Sequence, residues 1–337
     1  MSIRIAAVGL SHNHIYNQVN ALLAAGAELI WFHSDEADRA AEFSGRFPQA
    51  KQARVVDEIL DDDSIDLIAS APVPNERGPL GINVMRRGKD YICAKPGFVT
   101  LDQLHEARRV QAETGRIFAV YYGERLGNAA TVKAGELVHA GAIGRVVNTT
   151  GFGPHRLLGH VERPDWSFDK ARHGGILVDL ASHQADQFLY FTGSTEAEIV
   201  AAHVGNVRFP QFPNMDDFGD MTLRSPNATG YVRVDWLTPE GLDTWGDVRL
   251  FLLGTEGYIE LRKNADIAGR DGGNHLFVVD QKGTRYIDCA GTPLPYASQL
   301  IHDVLNRTET AMSQAHCFLA SELALIAQQE ARVISAS

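Results

Sequence analysis

Ile3-Arg4-Ile5-Ala6-Ala7-Val8-Gly9-Leu10-Ser11-His12-Asn13-His14 is a short apolar run that breaks on a glycine turn. Behind it, Ile15–Ala25 carries apolar residues at helical spacing and stops at Gly26. Strand, glycine turn and helix in that order outline a dinucleotide-binding G-x-G-x-x-G unit, of which only the first glycine is present. Ser11 and His14 hold the other two positions. Gly9 still supplies the tight turn, and Ser11 is small and adds a hydroxyl. The helix N-terminus keeps free N–H groups and the positive end of its dipole. His12 and His14 offer further donors or cap the turn, and Asn13 completes the candidate phosphate loop.

Working outward, the same rhythm repeats. Glu28–Phe32, Ile65–Ser70, Tyr91–Ala94 and Ile117–Tyr121 read as strands, with helices over Asp35–Arg46, Glu76–Arg87 and Leu101–Thr114. Alternation of this kind predicts right-handed crossovers and a parallel sheet. We therefore expect an α/β, Rossmann-type, doubly wound domain over residues 1–122. A helix over Ala129–Ala140 follows, and after residue 145 the pattern changes. One helix near Gly175–Thr192 precedes strand-like runs at Ile199–Val207, Asp220–Leu223, Gly230–Trp236, Val248–Leu253, Tyr258–Leu261, Leu276–Val279 and Tyr286–Cys289. Tight turns between them predict an α+β domain over residues 123–337 with a large, mainly antiparallel sheet. The tail Ser298–Ile334 reads as helical and is free to pack back on the first domain. An antiparallel sheet often has only one face covered by its own helices. Surplus apolar residues among Tyr231, Val232, Val234 and Trp236 would then make a homodimer or homotetramer surface.

The ribose end of a dinucleotide should meet the end of the second strand, at His33-Ser34-Asp35-Glu36. Ser34 takes the acidic position by register and Asp35 falls one residue late; either can also cap the following helix. Negative charge at Asp35 and Glu36 disfavours a 2′-phosphate, so NAD is expected over NADP unless Arg39 swings back. Ala71, Pro72, Pro74 and Arg77 follow the third long strand and are candidates for the nicotinamide side.

In the helix near Gly175–Thr192, regular spacing puts Asp179, His183, Asp186 and Tyr190 on one stripe. Leu177, Leu180, Phe188 and Phe191 fall opposite, so one face should pack in a core and the polar stripe should face a cleft. By spacing alone the stripe is equally a solvated face with an Asp–His pair. Softer candidates are His155 and Arg156 behind Gly151-Phe152-Gly153-Pro154, and Trp166 behind Arg163-Pro164-Asp165. Aromatic faces and forked donors suit sugar rings and hydroxyls, although each of these residues can be structural.

Bulk properties narrow the classes. The chain has 337 residues, 45% hydrophobic and 22% charged, with net charge −11 and no basic stripe, which argues against a nucleic-acid partner. No apolar run approaches the roughly 18 residues of a membrane span, and the first apolar run is too short for a signal peptide. Cys93, Cys289 and Cys317 are scattered without metal-like spacing. Together these predict a cytoplasmic protein without a disulfide framework and with no metal.

Tyr91-Ile92-Cys93-Ala94-Lys95-Pro96-Gly97 resembles the Glu-Lys-Pro strand end of the glucose–fructose oxidoreductase / inositol dehydrogenase (Gfo/Idh/MocA) family, with Ala94 in place of the acid. Gly174-Gly175-Ile176-Leu177-Val178-Asp179-Leu180-Ala181-Ser182-His183 resembles its G-G-x-L-x-D-x-x-x-H segment, and Gly123-Glu124-Arg125-Leu126 its Arg-rich stretch. The resemblance runs through essentially the whole chain. It implies a nicotinamide-dependent dehydrogenase or reductase of a sugar, inositol or related polyol, using NAD or NADP. It implies Lys95, Asp179 and His183 as catalytic residues, Pro96 beside the cofactor and Glu124 on the substrate side, where His155, Arg156 and Trp166 are candidates by their chemistry alone. Histidine suits removal of a hydroxyl proton, a carboxylate one turn away can orient it, and a lysine steadies alkoxide charge. Two alternatives stay open: transient use of bound NAD for glycoside cleavage, and a metal-dependent hydrolase or lyase built on His155, Asp179 and His183.

Overall fold

The computed structural model describes residues 2–157 and 163–334. Its contacts divide the chain into two compact units, Met1–Tyr121 with Pro295–Phe318, and Tyr122–Leu294 with Leu319–Ser337.

The first unit contains β1 (Arg4–Val8), α1 (His14–Ala24), β2 (Glu28–His33), α2 (Ala37–Arg46), β3 (Lys51–Gln52), α3 (Val56–Leu60), β4 (Leu67–Ser70), α4 (Pro74–Arg86), β5 (Asp90–Ala94), α5 (Leu101–Thr114) and β6 (Phe118–Tyr121). The strands form one parallel sheet in the order β3-β2-β1-β4-β5-β6. The order reverses at β1, the point where open α/β sheets bind ligands outside their carboxyl ends. β4 and β5 are buried throughout, as parallel strands covered on both faces must be. The short β3 and α3 escape sequence reading because two residues and one turn carry no period. The C-terminal segment that returns to this unit is held by specific bonds. Arg307 donates to both Asp90 carboxylate oxygens at 2.7 and 2.6 Å, and the Phe118 amide donates to Gln314 Oε1 at 2.8 Å.

In the second unit α6 (Gly123–Leu126) and α7 (Ala129–His139) lead into β7 (Val146–Pro154), followed by α8 (Lys170–His173), a π-helical turn (Leu177–Ala181) and α9 (Ser182–Thr192). Then come β8 (Glu198–Gly205), β9 (Phe218–Arg224), β10 (Thr229–Asp235), β11 (Arg249–Gly254), β12 (Gly257–Arg262), β13 (His275–Asp280) and β14 (Gly283–Asp288). The tail holds α10 (Tyr296–Asn306), α11 (Gln314–Glu330) and β15 (Arg332–Val333), so the tail expected to be helical ends in a short strand. The nine-stranded sheet runs β14-β13-β12-β11-β7-β10-β9-β8-β15 and is antiparallel except at β7–β10 and β8–β15. The α/β plus mainly antiparallel α+β architecture is thus the one expected.

Two differences from the sequence reading matter for the site. Gly151-Phe152-Gly153-Pro154, given no element in the sequence reading, belongs to β7, the centre of the sheet. A Cβ on Gly151 would lie 2.1 Å from Gln184 Oε1, and one on Gly230 of β10 would lie 2.7 Å from the Phe188 ring. These glycines are what allow α9 to lie directly on the sheet, the close-approach use of strand glycine. Second, α9 shows no polar face to solvent. Gln184, Asp186 and Gln187 are fully buried, with His183 5% exposed. Within the stripe Asp186 is bonded internally, accepting from Arg125.

One sheet face carries the core, including Leu250, Leu252, Ile259, Leu261, Leu276 and Val278. Strand alternation puts Tyr231, Leu253, Tyr258 and Tyr286 on the other, where each remains exposed. Val232, Val234 and Trp236 are buried in the chain's own packing, so of the four candidates for a surplus apolar surface only Tyr231 remains.

Candidate functional site

The first unit's candidate residues gather at the carboxyl ends of β1, β2, β4 and β5. Gly9 has φ +72°, its amide donates to the His33 carbonyl at 3.1 Å, and a Cβ there would lie 2.7 Å from Pro72 Cβ. Only glycine satisfies both conditions. The loop is then fixed by His12 N–H to the Ala71 carbonyl at 2.9 Å and His14 N–H to His12 Nδ1 at 3.1 Å. The His12 and His14 rings lie 4.0 Å apart, and the first turn of α1 has no acidic residue. Ser11 is buried and its hydroxyl donates to the Glu36 carboxylate. The tight turn, small Ser11 and the acid-free first turn of α1 fit the pyrophosphate of a dinucleotide, with the Ser11 hydroxyl turned to Glu36.

At the end of β2 a recess of about 450 Å³ is lined by His33, Ser34, Asp35, Gln52, Ala53 and Arg54. His33 holds the Ala53 carbonyl at 3.1 Å and Asp35 at 3.3 Å. Arg39 does swing back, donating to Asn13 Oδ1 at 3.2 Å, but Glu36 and Glu42 lie 4.0 and 3.6 Å from its guanidinium.

Ala71, Pro72 and Pro74 are buried after β4. Arg77 is wholly buried, and its guanidinium donates to the carbonyls of Pro72 at 2.9 Å, Ala94 at 3.3 Å and Pro96 at 3.2 Å, with Lys95 also in reach. It therefore props the two strand-end turns from beneath and does not line their surface. Lys95, 7% exposed, ends β5 before a cis bond to Pro96.

The second unit carries the acid and the histidine. Gly174 and Gly175 have φ +91° and +92°, and the Leu177 amide donates to Gln328 Oε1 at 2.9 Å. This clamp starts the π turn that contains the half-buried Asp179, and α9 continues with His183. Asp179 lies in this π turn and His183 at the start of α9; such turns concentrate at functional sites. The Tyr122 ring stands edge-on to His183 at 6.2 Å, with its hydroxyl on Ser321 Oγ at 2.8 Å. Arg125 donates to both oxygens of Asp186 at 2.7 and 2.6 Å and lies 4.6 Å over the Tyr190 ring.

Glu124 accepts from Gln184 at 2.6 Å and faces Lys263 at 3.5 Å, while Lys263 donates to Gln187 Oε1 at 2.5 Å. Burial pulls the Lys263 ammonium below the usual lysine range, and Glu124 opposes the shift. His155 bridges to Gly246, and its ring lies 5.4 Å from Trp236 and 4.6 Å from Trp245. Arg156 Nη2 donates to the carbonyls of Pro239, Leu242 and Thr244. Trp166 lies in the 3₁₀ turn Asp165–Phe168. Tyr122, Lys263, Trp245 and the role of Arg163 escaped sequence reading, because residues this distant in sequence meet only in the folded unit. Among the described residues no group of three or more His, Cys, Asp or Glu side chains is placed to hold a metal, and no helix is long and apolar enough to cross a membrane.

Comparison with known proteins agrees with this arrangement. Residues 131–260 match the model of the GFO/IDH/MocA C-terminal domain. A solved protein from Erwinia carotovora atroseptica SCRI1043, labelled an oxidoreductase without a named substrate, is 46% identical over 99% of this chain and 100% of its own, with TM-score 0.96. The scyllo-inositol 2-dehydrogenase (NAD(+)) of Bacillus subtilis is 26% identical over 84% of this chain and 79% of its own length. Levoglucosan dehydrogenase, solved with NADH, shares the fold at TM-score 0.78, 20% identity and 98% coverage of each chain. With the family model, the inositol dehydrogenase and the full-length oxidoreductase relative agreeing, the chain belongs to the Gfo/Idh/MocA family of NAD(P)-dependent oxidoreductases.

Proposed function

We propose that the chain moves a hydride between NAD and a hydroxyl or keto carbon of a sugar, inositol or related polyol, with His183 as proton acceptor in the oxidation direction. The observation that carries this is the setting of His183: an imidazole nearly excluded from solvent, on a helix pinned to the sheet, one turn after a half-buried carboxylate. When bound, the nicotinamide supplies the hydride acceptor or donor. His183 takes the hydroxyl proton on a ring nitrogen, and Asp179 favours the imidazolium that results. Lys95 steadies negative charge on the reacting oxygen. Gly9, Ser11, His12, Asn13 and His14 hold the pyrophosphate, Ser34 and Asp35 face the ribose, and Ala71, Pro72, Pro74 and Pro96 form the nicotinamide ledge braced by Arg77. Asp35 and Glu36 favour NAD over NADP, because Arg39 and Arg54 are already matched by Glu42 and Glu58.

A panel of sugars, polyols and their keto forms, assayed with NAD and with NADP at the reduced-nicotinamide absorbance, tests this. We expect turnover with at least one member and tighter NAD binding. Product formation without net NADH would favour transient redox and glycoside cleavage instead.

The open sheet face supports a second, separate proposal: copies of this chain associate through Tyr231, Leu253, Tyr258 and Tyr286. Light scattering at micromolar concentration should give a dimer or tetramer, and Leu253→Lys with Tyr258→Glu should lower the mass. A monomeric wild type would sink it.

A further inference from the structure

Burying a cation without a counter-charge is costly, so a half-buried arginine asks what it faces. Arg125 has Asp186, and Arg77 has a ring of backbone carbonyls. Arg163 has neither in full. Its Nε donates to the Leu157 carbonyl at 2.6 Å and its Nη2 to the Arg156 carbonyl at 2.9 Å, and its guanidinium lies 4.4 Å over the Trp236 ring. These bonds use two of its five N–H donors. Among the described residues no carboxylate makes an ion pair with it, although it feels the field of Asp179, which works against the depressing effect of burial on its pKa. Arg163 thus lies within the field of Asp179 and keeps the N–H donors that its two carbonyl bonds leave over.

The surroundings are aromatic. Trp236, 8% exposed, supports the guanidinium from one side, and His155 continues the wall to Trp245, which is 41% exposed. The wall is rigid: Arg156 fastens the segment after Trp236 through the Pro239 and Thr244 carbonyls, both at 3.0 Å. An exposed indole on a fixed backbone offers a flat apolar face to the C–H side of a sugar, and a stacked guanidinium offers a planar fork.

We propose that Arg163 and Trp245 form a subsite for an acidic sugar, the carboxylate taking the free N–H groups of Arg163 while the carbon skeleton lies on Trp245. This rests on the sugar-oxidoreductase reading above and narrows its substrate to the uronic or aldonic acid class. One guanidinium fork matches a carboxylate monoanion, whereas a phosphate dianion would ask for a second cation; Arg156, the other arginine at this wall, already has its Nη2 on three backbone carbonyls.

The test uses the full-length protein and matched pairs, glucuronate against glucose and galacturonate against galactose, with glucose 6-phosphate as a third arm. Binding is read by quenching of tryptophan fluorescence, and turnover by reduced-nicotinamide absorbance. The acid of at least one pair should bind at least tenfold more tightly than its neutral partner. In Arg163→Gln that ratio should collapse toward one, with an unfolding midpoint near wild type to show the protein is intact. Trp245→Leu should weaken acid binding and remove much of the quenching. Equal binding of acid and neutral sugars by wild type, or an unchanged ratio in Arg163→Gln, overturns the subsite. Preference for glucose 6-phosphate over both acids overturns its carboxylate assignment. Because binding is read without turnover, acid-selective binding with no redox on any sugar leaves the subsite standing and fails only the oxidoreductase assignment.

Discussion

His183→Ala is expected to lower kcat by roughly 10²–10⁴-fold, the range for a positioned acid–base group. The fold should survive. His183 contributes a small part of a helix held by Gln184, Asp186, Gln187 and Phe188, and the ring neighbour Tyr122 keeps its bond to Ser321. In the oxidation direction the wild-type rate should rise with pH through one ionisation in the neutral range, where histidine ordinarily titrates near about 6.5, because only neutral imidazole can accept the proton. That limb should vanish in His183→Ala. Asp179→Asn keeps the side chain's size and removes its charge, so the imidazolium is no longer favoured and kcat should fall while the structure holds. The two losses should be non-additive, since each residue acts through the other. A limb that persists unchanged in His183→Ala rejects the histidine as base and moves the role to Lys95. Lys95→Ala should itself act on kcat far more than on cofactor affinity, because the charge is needed along the reaction path.

The largest stability effect is expected at Arg125. Its partner Asp186 has no exposed side-chain surface, and Arg125→Met leaves that carboxylate without its bidentate cation. Breaking one side of a buried pair costs about 3–5 kcal/mol, against about 0–1 kcal/mol for a surface pair such as Lys133–Glu136. Urea unfolding of the purified chain should show the loss as a lower midpoint. Arg125→Met with Asp186→Leu should recover most of it, since an apolar pair of similar volume carries no desolvation cost. If the single variant unfolds at the wild-type midpoint, the pair is not what fixes α9. The exposed Lys133→Ala should move the midpoint little and serves as the control.

Much of the first unit was legible because parallel strands covered on both faces read as continuous apolar runs, and helix ends were marked by Gly26, Gly88 and Gly115. Gly9 was legible for the same local reason: a positive φ has a sequence signature. In the second unit the signals were local again for the antiparallel strands, whose alternation and turns needed no partner to be seen. β7 was not legible as a strand because its glycines answer to α9, which packs on them from about thirty residues further along the chain. The polar stripe of α9 was seen, and its burial was not. Whether Asp186 faces water or Arg125, and whether Gln187 faces water or Lys263, depends on which side chains arrive from elsewhere. The sequence by itself determined the alternation of strand and helix, the glycine turn, and the order of Lys95, Asp179 and His183 along the chain. Only the tertiary structure decided that Arg77 braces backbone, that Glu124 answers a buried lysine, and that Arg163 faces an aromatic wall. Periodicity and turn chemistry act over a few residues, whereas desolvation and charge pairing are properties of the space that distant segments enclose.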